Sequence, residues 1–253
     1  MKVLPLAYPV RLLAIVLGHL ALYVAGSNVA WSLRTPRPGR LGRAIDGVRL
    51  WNTKLRLGEL LRATYYLVVP YLVLYLGWAS PLDFGLADLD WIGGIGTTAA
   101  FGGGCLLLLA WLWWQHSSHA AGPLRMPQAQ WLAQPWGWVL VLCEVLFLEA
   151  WWALCRSPML VLAGSYWGVY WGLAAVFAAA LLNPRLWYEL RTPGEREGVI
   201  LTGALAVVTA TLYVFTHNLW LCMALHAVLR LAILALVSIQ SGNERHRGER
   251  LSP

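Results

Sequence analysis

The chain has 253 residues, of which 59% are hydrophobic and 12% charged, with a net charge of +7 and sixteen tryptophans. An ordinary soluble domain is about 25% charged, so this sequence lacks the polar groups to cover a water-facing surface. Its positive charge falls in the connections between apolar stretches, where the positive-inside rule accounts for it, and no nucleic-acid partner is implied.

Stretches without Asp, Glu, Lys or Arg run over 12–33, 63–82, 91–124, 126–143, 157–184 and 198–229. About 20 apolar residues rising 1.5 Å each cross the hydrocarbon core of a bilayer, whereas buried strands are runs of roughly 4–8 residues. The expectation is an all-α, polytopic transmembrane helical bundle of about seven spanning helices, an integral multi-pass protein of bacterial inner-membrane type. In chain order the helices are expected over 10–31, 59–79, 91–115, 136–155, 159–182, 198–216 and 219–239. Residues 1–79 then form an N-terminal helix pair, 80–240 a membrane core, and 241–253 a polar tail.

Lys2 and Arg11 ahead of an apolar run resemble a leader, but the segment reads as a retained helix. The connection 32–57 holds Arg34, Arg37, Arg40, Arg43, Arg49, Lys54 and Arg56 against Asp46. It reads as an anchor on anionic lipid headgroups, at about 1 kcal/mol per basic residue, or as a dock for an acidic partner. The connection 80–90 is the reverse, with Asp83, Asp88 and Asp90 and no base. Placing 32–57 inside and 80–90 outside puts the N-terminus outside and the C-terminus in the cytoplasm; the short connection bearing Arg156 is the one exception.

Gly93, Gly94, Gly96 and Gly102–Gly104 lack the Lys-Ser/Thr of a phosphate loop and read as close helix packing. Trp111, Trp113, Trp114, Trp131, Trp136 and Trp138 flank one connection, as an interfacial aromatic belt would. His116 and His119 could share a metal on a helix face, but no third ligand is evident. Cys105, Cys143, Cys155 and Cys222 form no CxxC pair and read as buried thiols.

Ionisable groups within membrane segments cost about 2.5–3.5 kcal/mol at a helix centre and are functional candidates. They are His19, Glu144, Glu149, Arg156, His217, His226 and Arg230. Glu149 and Arg156, seven apart, share a helix face; Glu144, five before Glu149, is turned away from it. His226 and Arg230, four apart, are adjacent. An acid and an imidazole from two helices are the minimum of an acid/base or metal site, and mutual neutralisation is the plainer use of them. His19 stands alone and would be an axial ligand only in a pigment- or cofactor-binding subunit.

The stretch Thr216–Arg230, with its Asn-Leu-Trp followed by an apolar run and His226-Ala, resembles the last motif of the CPBP family, the CAAX prenyl endopeptidases and bacteriocin-processing intramembrane proteases. Leu148–Arg156 is similar to that family's Glu-Glu-x-x-x-Arg motif, residues 166–181 stand where its Phe-x-x-x-His falls, and Leu82–Trp91 is similar to the segment ahead of its core. The resemblance covers about residues 80–240. It implies a peptidase site with Glu149 as base, His226 as metal ligand or oxyanion stabiliser, Arg156 beside them and a divalent metal such as zinc on His226 and Glu149. This chain departs from the pattern at Ala150, Leu154, Leu181 and Arg230, which occupy the family's second Glu, Arg, first His and final Asn/Asp.

The expectation is therefore a family scaffold with impaired catalysis and no cofactor, acting on other membrane proteins or lipids as a complex subunit or assembly factor. An active divergent intramembrane endopeptidase is the alternative, and a pigment-binding subunit a weaker one.

Overall fold

The computed structural model describes residues 7–33, 57–119 and 126–251. All regular structure among them is helical: α1 (Ala7–Ser32), α2 (Leu57–Tyr75), α3 (Trp91–His119), a 3-10 turn (Pro127–Ala133), α4 (Gly137–Leu181), α5 (Pro184–Arg191), α6 (Arg196–Thr216) and α7 (Leu219–Leu251). Five of the described helices, α1, α3, α4, α6 and α7, are long and apolar enough to cross a membrane, and Thr64–Tyr75 in α2 is a shorter apolar piece. The chain is thus an all-helical protein of multi-pass membrane type. The basic segment of the first connection, 34–56, lies outside the described residues.

The sequence places a break at Arg156–Pro158, where charge and proline suggest a connection. The structure instead carries helix through both residues, and the backbone leaves helical geometry at Gly164, with φ 78° and ψ 172°. That conformation is accessible essentially to glycine alone. A straight helix of this length would be about 68 Å, more than twice the hydrocarbon core. The glycines beyond the break show what happens instead. A Cβ on Gly168 would lie 2.6 Å from the Leu160 Cα, and one on Gly172 would fall on the Arg156 backbone. Both pairs are centred on residue 164, so the arms 137–163 and 165–181 run antiparallel as a hairpin. Pro158 is accommodated inside the first arm. The two helices expected here exist, but their turn at Gly164 lies beyond the expected connection at 156–158.

The chain groups into two compact units, Met1–Phe84 with Ala150–Trp187, and Gly85–Glu149 with Tyr188–Pro253. In the first, side chains reach between helices. The Tyr8 hydroxyl donates to Asp83, whose carboxylate also accepts the Ser80 N–H at 2.9 Å. Asn183 Nδ2 donates to the Tyr23 hydroxyl at 3.0 Å, and Tyr65 donates to the His19 carbonyl at 2.6 Å. Hydrogen bonds of this kind between helices help to fix which residues face one another.

The second unit packs a small apolar core of Met126, Ala129, Val141, Ile233, Leu234 and Val237, against which Trp113 and Trp131 lie. Gly94 and Gly102 of α3 let Leu221 and Leu225 of α7 close in; a Cβ on either would sit 2.7 Å from the leucine Cδ1. Only 6% of the most apolar window of α3 is buried among the described residues. Asp90, one of the acids of the 80–90 connection, caps this helix by accepting the Gly93 N–H at 3.0 Å. The α7 helix runs on to Leu251 rather than ending near 239, so the expected polar tail is helical for most of its length.

Candidate functional site

The position of the site is fixed by the turn between α6 and α7. The α6 helix ends at His217 in the left-handed region, φ 48° and ψ 27°, with its N–H bonded to the Tyr213 carbonyl at 2.8 Å. Asn218 then caps α7, its Oδ1 accepting from Trp220 and Leu221 N–H at 3.0 and 3.2 Å. The Leu219 N–H is taken by the Gly85 carbonyl at 2.9 Å. Gly85, at φ 70°, packs against His217 O and the Tyr213 ring so closely that a Cβ would come within 2.6 Å of both. Every N–H of the first turn of α7 thus has an acceptor, and the starting residue of the helix cannot slip.

From that start, His226 lies two turns, or about 10 Å, along α7, and Arg230 one turn further on. Opposite them stands the first arm of α4. His226 Nδ1 and Glu149 Oε1 are 2.9 Å apart, and both side chains are wholly buried, at 0% exposure. One turn away, an Arg230 guanidinium nitrogen lies 2.9 Å from Glu144 Oε2; Arg230 is buried, while Glu144 retains 18% exposure. As the α4 number falls from 149 to 144 the α7 number rises from 226 to 230, so the two helices are antiparallel and joined by two polar rungs, one hydrogen bond and one ion pair.

Glu144 stood among the sequence candidates, but its pairing with Arg230 was not read. A five-residue offset from Glu149 turns it well away from that face, yet the long arginine side chain spans the difference. Its signal was the match of one acid to each of the His226/Arg230 pair, at nearly equal spacing along the two helices. Asn218 was quoted in the motif but given no role; it sets the register of the whole site.

Arg156, expected beside Glu149, belongs to the other unit. There it is buried beneath Gly172, whose missing side chain makes room for its backbone. Ala150 and Leu154, standing where the resemblance has Glu and Arg, are buried and apolar, whereas Leu181, in place of its first His, is half exposed. His19 is also engaged in the first unit, through its Nε2 and its ring face. Its Nε2 accepts the Trp151 indole N–H at 2.8 Å, and its ring stacks on Tyr65 at 4.4 Å and 12°. An indole N–H only donates, so this nitrogen's lone pair is spent and cannot also serve an axial metal. The side chains of His116 and His119 lie outside the described residues.

A carboxylate hydrogen-bonded to an imidazole can pass a proton between its two members. Hydrolysis also needs a polarised water and a stabilised oxyanion. Zinc sites draw three or four protein ligands, and no three His, Cys, Asp or Glu converge among the described residues. Glu149 and His226, bonded to each other, do not by themselves fit such an ion. Cys155 and Cys222 are buried free thiols, Cys105 and Cys143 partly buried ones. No family model, curated protein or solved structure matches the chain.

Proposed function

We propose that this is a multi-pass membrane protein that works by binding, as a complex subunit or assembly factor, on a scaffold like that of the CPBP intramembrane proteases but without their chemistry. The observation that carries this reading is the Arg230–Glu144 rung. It sets a compensated cation one turn from His226, at the position the resemblance gives to an Asn or Asp. Burial of the neighbouring Glu149–His226 pair supports it further, since neither side chain reaches a surface where a peptide bond could meet it. The four groups then act as an internal clasp between two helices, with mutual neutralisation offsetting the cost of charge in a low-dielectric setting. On this reading the protein sits in a bacterial-type inner membrane with its basic connection and C-terminus in the cytoplasm, and its partners are other membrane proteins or lipids.

The test compares wild type with Glu149→Ala and His226→Ala, each reconstituted and challenged with prenylated and leader-type membrane peptides. All three should cleave nothing, while wild type cross-links to a defined membrane partner in native membrane. Cleavage by wild type that both substitutions abolish would replace the proposal with the peptidase reading. One feature favours that second reading: Glu149 Oε2 is buried and has no hydrogen-bond partner among the described residues, as a base awaiting a substrate proton would be.

A further inference from the structure

We draw no further inference here: the strongest candidate, the apolar groove between α3 and α7 lined by Gly103, Leu107, Ala110, Ala232 and Leu236, is an unpartnered face, and nothing in the structure shows what covers it.

Discussion

In the unit of Gly85–Glu149 and Tyr188–Pro253, α4 and α7 are joined by two polar rungs, the Glu149–His226 hydrogen bond and the Glu144–Arg230 ion pair. In the unit of Met1–Phe84 and Ala150–Trp187, the arms of α4 close on glycines, and α1 is tied by a neutral Trp151–His19 bond among stacked aromatic rings. Both arrangements meet the same requirement. Lipid offers helices no hydrophobic reason to associate, so contact must come from packing or from polar bonds. The difference lies in what happens when one member is removed. A buried polar rung broken on one side leaves its other member unpaired in a dry interior; replacing a glycine forfeits only the space it provided.

The largest effect should therefore come from half-breaking a rung. Glu149→Leu or His226→Leu alone is expected to destabilise the fold by about 3–5 kcal/mol, whereas the double substitution should recover much of that stability. Unfolding in mixed micelles would measure both, and a fully additive double variant would sink the clasp interpretation. Next, Gly172→Ala should cost about 1–3 kcal/mol by overpacking against Arg156, while Gly203→Ala, which meets nothing within 4 Å, should be neutral or mildly stabilising in the same measurement. Asn218→Ala should cost about 1 kcal/mol through removal of the α7 cap; hydrogen exchange at Trp220 and Leu221 would report the frayed turn. The smallest change is Tyr65→Phe, which keeps the ring but removes the hydroxyl's bond to the His19 carbonyl, at about 0.5–1.5 kcal/mol. If it costs as much as Glu149→Leu, the contrast between the two units fails.

Much of this was legible in the sequence because bilayer thickness imposes a length on apolar runs. The starts of α3 and α7 at Trp91 and Leu219 fell where expected, each just after an Asp or Asn able to cap the first turn. The Glu149–His226 pairing was also readable, since few other groups were available to neutralise either one. The Gly164 hairpin was not read, because Arg156 and Pro158 look like a boundary and the real signal lay beyond them. Gly164, Gly168 and Gly172 recur every fourth residue, the spacing that brings two membrane helices into backbone contact. Propensity rules drawn from soluble proteins count Pro158 as a helix breaker, but in lipid a helix keeps its remaining bonds because nothing else can satisfy them.

The length of α7 has one more consequence. Its apolar window ends at Ile239, yet the helix continues to Leu251. At 1.5 Å per residue that continuation adds about 18 Å of helix beyond the apolar window. Because the backbone is one continuous helix, inserting a single residue after Ile239 would rotate the whole continuation by about 100° as one piece.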